Sequence, residues 1–187
     1  MCGRYQFFLG GQDPASRRLT ALCLAAEPGE EWHQGEIFPG YRMPVLVDGG
    51  EKLILRWAAW GFGVGKGKTL INARWETAAQ RPMFRESMEK GRCVVPASGF
   101  YEWSAQKEKY LFRGEYPQMY LAGLLRETAE GPEFVILTRR ACRDVAGIHH
   151  RMPVILPQRA LRTWIRGGPQ AIFDALPPLR LEAECCT

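Results

Sequence analysis

The sequence predicts an α+β fold: a single domain over residues 1–187, with a mainly antiparallel sheet curled into a barrel-like core and a few short helices. Three observations predict it. Apolar and aromatic runs of strand length recur from Cys2 to Leu156. Segments with helical spacing are few and short, scattered between the strands. No repeat, low-complexity tract or long linker divides the chain.

Composition bounds the function class. With 187 residues, 46% hydrophobic and 24% charged, the chain has the length and balance of a globular domain with a sizeable core. The first ten residues lack a signal-peptide pattern, and Arg56 breaks the longest apolar run, so a cytoplasmic protein without a membrane segment is expected. The six cysteines then read as thiols. Neither Cys-x-x-Cys nor His-x-x-x-His occurs, so no metal and no cofactor are expected. The net charge of +5 is compatible with a polyanionic partner.

The elements follow in order. Residues 2–9 carry Tyr5, Phe7 and Phe8 and read as a first strand. Leu19, Leu22, Cys23 and Ala26 share one face of a helix over 14–26, stopped by Pro28-Gly29. Phe38-Pro39-Gly40 marks a turn, and Asp48-Gly49-Gly50 joins strands over 43–47 and 51–60. Residues 61–68 are rich in glycine, with Lys66 and Lys68, and read as a flexible basic loop. Gly67-Lys68-Thr69 resembles the end of a phosphate-binding loop, but Phe62 stands where that motif needs its first glycine, and a strand over 70–73 follows. Helical turns are expected over 75–80 and 82–90, the latter closed by Gly91. Strands are expected over 92–95, 99–103, 110–113, 119–125, 134–137 and 152–156, with a helical turn over 141–146. Pro157 opens a helix to 166, and a last helix covers 170–176. The tail over 177–187 is expected to be flexible, and Cys185-Cys186 is given no chemistry.

Chemistry concentrates at four places. Cys2 follows the initiator methionine, and its small side chain permits removal of Met1. That leaves an amine and a thiol on one residue, both titrating near neutral pH. Such a residue is a nucleophile with its own base, or a partner that condenses with an aldehyde. The plain alternative is a buried strand cysteine. Arg4 lies two residues on. Asn72 and Arg74 form a second i, i+2 pair, though Asn72 also suits a cap for the following helix. Glu102 sits between Tyr101 and Trp103, where desolvation favours proton transfer, or it faces solvent from an edge strand. His149 and Arg151 form the last pair, with His150 between them. Together they offer amine, thiol, amide, carboxyl and imidazole beside three arginines, a set suited to attack on a carbonyl near phosphates. Trp57, Trp60 and Trp103 are stacking surface or core.

Four ordered motifs carry a resemblance. They are Met1-Cys2-Gly3-Arg4, Ile71-Asn72-Ala73-Arg74 followed by Glu76-Thr77, the run from Arg92 through Ser98-Gly99-Phe100-Tyr101-Glu102-Trp103, and His149-x-Arg151-Met152-Pro153-Val154-Ile155-Leu156. In these the chain resembles the SOS-response-associated peptidase family, whose members crosslink to abasic sites in single-stranded DNA. The resemblance implies a single α+β domain, expected as a monomer, acting in the DNA-damage response by Schiff-base and thiazolidine chemistry of a lyase-like kind. It implies that Cys2 forms the adduct, Asn72 positions its amine, Glu102 shuttles protons and His149 assists opening of the sugar. Arg4, Arg74 and Arg151 would hold phosphates, and Trp103 and Pro39 would stack on or wedge against the DNA. One departure stands out: the Leu-Ile-Pro-x-Trp that follows Trp-Gly in many members is replaced by a shortened Phe62-Gly63-Val64-Gly65-Lys66. Two other readings compete. A Cys2 peptidase or amidohydrolase, including one that removes its own Met1, would use the same residues. A passive single-strand binder would not need Cys2.

Overall fold

The computed structural model describes residues 2–26, 33–167, 172 and 180–186. Two antiparallel-rich sheets organise it. The first runs β14 (Leu181–Cys186), β10 (Lys109–Gly114), β9 (Gly99–Trp103), β1 (Arg4–Phe7) and β2 (Gly35–Ile37). The second runs β11 (Met119–Arg126), β8 (Arg92–Ala97), β3 (Arg42–Asp48), β4 (Leu53–Trp60) and β12 (Glu133–Arg140). Because β11 also pairs with β12, these strands close into a ring. Two short strands, β7 (Asn72–Arg74) and β13 (Arg151–Pro153), hang on β12. The curled sheet that the strand-rich sequence predicts is this ring.

Its packing explains its strands. All of β11 but Arg126 is buried, because the ring interior lies on one side and α3 (Pro82–Lys90) packs on the other. Gly91 ends α3 beside that strand: a Cβ there would sit 2.2 Å from the Leu125 carbonyl oxygen, so only glycine allows the approach. Trp60 and Trp164 are fully buried, and each indole N–H finds a carbonyl, Ile71 at 3.0 Å and Cys93 at 2.7 Å. Arg92 donates to Met88 O in α3 and to Trp164 O and Ile165 O in α5 (Leu161–Arg166), joining the carbonyl ends of two helices to the sheet. Asp13 caps α1 (Pro14–Ala25) by accepting from the amides of Ala15 and Ser16.

Several expectations change. The loop expected over 61–68 lies within a small hairpin, β5 (Phe62–Gly63) against β6 (Thr69–Leu70), and Gly61 leaves β4 with φ +126. The strand expected over 70–73 is split at Ile71, whose carbonyl accepts the Trp60 indole, so that β6 and β7 join different partners. The strand over 152–156 is the shorter β13 plus one bridge at Ile155. The helix over 157–166 begins as a 3₁₀ turn, Gln158–Ala160. The turn over 141–146 holds α4 (Arg143–Ala146). The tail is not loose throughout: β14 pairs along the whole of β10, and the Leu181 amide donates to Asp144. Residues 181–186 show no strand period, and β2 is too short to carry one. The helix expected over 170–176 lies outside the described residues except Ile172, which is buried.

Candidate functional site at the N-terminus

Cys2 lies two residues before the start of β1 at Arg4 and is fully buried. Strand β1 pairs with β9 through Arg4↔Tyr101 and Tyr5↔Phe100. The same register, run backwards, carries the chain start past Glu102. That strand is held on both sides, by β1 and β10, so Glu102 is not on an edge strand and is only 1% exposed. The solvent-facing alternative is therefore excluded. Burial pushes the Glu102 carboxyl up to about 7, a value at which it can both give and take a proton at neutral pH.

Asn72 comes from β7, laid parallel to β12 by the Ile136↔Asn72 pairing. It does not cap α2 (Trp75–Ala78), which begins at Arg74 without a side-chain cap. Its amide instead donates to the Cys2 carbonyl at 2.8 Å, while its Oδ1 is buried with no hydrogen-bond partner. His149 follows α4 and brings Nδ1 to 3.6 Å from Glu102 Oε1. The same nitrogen lies 3.0 Å from both the amide nitrogen and the carbonyl oxygen of Arg151. That nitrogen accepts from the first when bare and donates to the second when it carries the hydrogen, so the ring accommodates either tautomer without turning. The structure thus brings Cys2, Asn72, Glu102 and His149 together from four separate stretches of sequence.

The thiol is not a free nucleophile in this setting. Desolvation raises its pKa far above the usual range, and the Glu102 charge adds to that. Cys2 Sγ contacts the Arg4 carbonyl at 3.4 Å.

The arginines divide. Arg74 is exposed. Arg151 is largely buried and spent on Glu76 at 2.7 Å, the Thr138 carbonyl at 2.6 Å and the Thr138 hydroxyl. Its guanidinium lowers the Glu76 carboxyl through the hydrogen bond they share. Arg4 is half-buried, paired with Glu36 at 2.8 Å, and lies 4.4 Å from the Phe38 ring and 5.3 Å from that of Trp103. Lys109 reaches the other Glu36 oxygen at 2.6 Å. Pro39 is exposed on the turn after Phe38. Trp60 is core, packed edge-on against Tyr5 with centroids 5.1 Å apart, and Trp57 is partly buried with its indole on Ala26 O. The sequence did not single out Glu36 or Tyr5. Glu36 has no local signature, since its partners lie on β1 and β10. Tyr5 follows directly on the first motif, but only its burial draws attention to its hydroxyl.

A family model described as SOS response associated peptidase (SRAP) matches residues 1–183. The abasic site processing protein YedK of Escherichia coli is 31% identical, over 89% of this chain and 80% of its own length. The abasic site processing protein YoqW of Bacillus subtilis is 32% identical, over 88% of this chain and 80% of its own length. A structural-genomics crystal structure from Bordetella bronchiseptica superposes with a TM-score of 0.78 at 25% identity, covering all of both chains. With the family model matched over residues 1–183 and a relative above 30% identity over most of both chains, the chain belongs to the SOS response associated peptidase (SRAP) family.

Proposed function

We propose that this protein captures abasic sites in single-stranded DNA as a covalent adduct of Cys2, after Met1 is removed. The observation that carries the reading is the placement of Cys2, tied by its carbonyl to Asn72, beside a buried carboxyl that titrates near neutral pH. The relatives named as abasic site processing proteins supply the substrate class.

The chemistry follows from the groups present. An abasic sugar is mostly a closed hemiacetal, and opening it needs a proton given to the ring oxygen and one taken from the C1′ hydroxyl. Glu102 and His149 face each other across 3.6 Å and serve these two transfers. With its thiol held protonated by burial, Cys2 attacks first through its amine. The N–C bond forms, the carbinolamine loses water with a proton from Glu102, and an imine results. The thiol then gives its proton to the imine nitrogen, and the thiolate adds to the imine carbon: S–C forms and the C=N pair moves to nitrogen. The product is a thiazolidine. Arg74 and Arg4 bind flanking phosphates, Trp103 and Pro39 border the strand, and Arg151 holds the His149 loop on Glu76 and Thr138.

A second reading, thiol peptidase action on the Met1–Cys2 bond, uses the same cluster and is favoured by the family's description. The raised Cys2 thiol argues against a thiolate attack. Denaturing gels and intact mass test the two together, with untagged protein, Cys2→Ala, and single strands with and without one abasic site. The expected result is a band that needs both lesion and Cys2 and survives heat without borohydride. No band from a chain whose mass shows Met1 gone would overturn the proposal.

A further inference from the structure

Tyr5 has a hydroxyl with nowhere to go. The residue is fully buried, and its oxygen has no hydrogen-bond partner among the described residues. A buried hydroxyl left this way is costly, and native cores rarely tolerate it away from a site of use. The ring is not loose in a void. Its edge meets Trp60 at 5.1 Å, Trp60 is pinned to Ile71 O, and the next residue, Asn72, is pinned to Cys2 O. A closed circuit of contacts therefore runs from Tyr5 through Trp60, Ile71 and Asn72 back to Cys2, three residues from where it began. A second orphan lies in the same circuit, the Asn72 Oδ1. One is a donor without an acceptor and the other an acceptor without a donor, both buried around the residue that must present an amine and a thiol. The two groups also sense each other electrostatically: after burial itself, the charge of a Cys2 thiolate is what holds the Tyr5 phenol above its usual range.

We propose that Tyr5 is a positioning residue for the Cys2 sulfur, its hydroxyl donating to the thiolate as the thiol gives up its proton for ring closure. This rests on the proposed crosslinking reading and adds to it a division of labour. Asn72 and Glu102 serve the amine step, and Tyr5 serves the sulfur step. In closure the thiol first gives up its proton, which passes to the imine nitrogen, and the thiolate then forms the S–C bond to the imine carbon. A donor to sulfur stabilises the negative charge between those two steps. Because the site is desolvated, water does not compete for that role.

Tyr5→Phe removes the hydroxyl alone. Since the group satisfies nothing in the fold, the melting temperature should stay or rise. Time courses are then run with the abasic strand, each point split between borohydride and none. For Tyr5→Phe the borohydride-trapped imine should form at the wild-type rate, and the borohydride-independent adduct should lag roughly tenfold. The pH at which closure is half-maximal should rise. An unchanged ratio of the two species with an unchanged pH profile overturns the proposal, as does a fall in melting temperature that accounts for the whole loss. A readout independent of DNA separates this from the function itself. The pH dependence of Cys2 alkylation by a small reagent, followed on the N-terminal peptide by mass, should move upward in Tyr5→Phe. If wild-type protein gives neither species with the abasic strand, the crosslinking reading fails, and the alkylation profile still decides whether Tyr5 acts on the sulfur.

Discussion

The side-chain amide of Asn72 donates a 2.8 Å hydrogen bond to the main-chain carbonyl of Cys2, tying β7 of the ring to the residue ahead of β1 of the other sheet. Cys2 is therefore fixed by a side chain seventy positions away and not only by its own stretch of chain. Asn72→Ala should lower stability by about 1–2 kcal/mol, since a buried carbonyl loses its donor. It should slow adduct formation on abasic single strands by at least tenfold, because the nucleophile loses its orientation. Thermal melts and gel time courses read the two effects. Loss of stability with full activity would show that the bond serves the fold alone.

Glu102 titrates near 7 because it is buried, and that makes stability fall with pH. Folded protein keeps the proton up to about 7, whereas the unfolded chain releases it near the ordinary glutamate value of 4.5, so between these values the native state binds more protons and loses stability as pH rises. Glu102→Gln has no such slope. It should match wild type in stability near pH 4 and exceed it by up to about 3 kcal/mol at pH 8. Adduct formation should fall about a hundredfold or more. Denaturant melts across pH check the sign, and a variant less stable than wild type at pH 8 would contradict it.

The sequence made some of this legible and hid the rest for physical reasons. Strands such as β9 and the hairpin at Asp48-Gly49-Gly50 carry local signals, aromatic runs and turn residues, and they fell within a few residues of their true ends. The helix over Pro82–Lys90 has proline at its start and glycine after its end and was read to the residue. The curl of the sheet was legible, but the pairing that completes the ring was not, since β4 and β12 meet from distant stretches of chain and leave no periodicity. In the candidate site, residue types gave away Cys2, Asn72, Glu102 and His149. Whether Asn72 capped a helix and whether Glu102 faced water depended on which strands flank them, and that is a property of topology. Arg151 looked like Arg74 in sequence. Only the fold shows one guanidinium spent on Glu76 and Thr138 and the other exposed.

That contrast between the two arginines is testable through salt. A cation that meets a phosphate releases a counterion, contributing about 0.7 to the slope of log K against log salt on single strands. Arg74→Ala should reduce the slope by about that amount and leave the melting temperature within a degree or two, as expected for an exposed side chain. Arg151→Ala should cost about 3 kcal/mol of stability, because it strips Glu76 and Thr138 of a largely buried partner. Its salt slope should stay near wild type. The reverse pattern in binding titrations and melts would assign the phosphate contact to Arg151.

Glu36 holds two cations at once, Arg4 at 2.8 Å and Lys109 at 2.6 Å, on the sheet that carries Trp103. Burial alone would raise its carboxyl, but the hydrogen bonds from Lys109 and Arg4 outweigh that and hold it below the usual range. The carboxylate is thus charged at neutral pH and cancels positive charge where the proposed DNA path runs. It also fixes the Arg4 guanidinium against Phe38 and Trp103. Glu36→Gln keeps the size and loses the charge, which releases both cations for phosphates. Single-strand affinity should rise severalfold at low salt, with a slope steeper by up to about 1.4 for two freed cations. The gain should fade as salt rises. Discrimination between abasic and intact strands should fall, because the added affinity is blind to the lesion while Arg4 is no longer held in one place. Binding isotherms on both strands at two or three salt concentrations measure this directly. Weaker binding in Glu36→Gln would mean that a placed Arg4 is worth more to the complex than two unpaired cations.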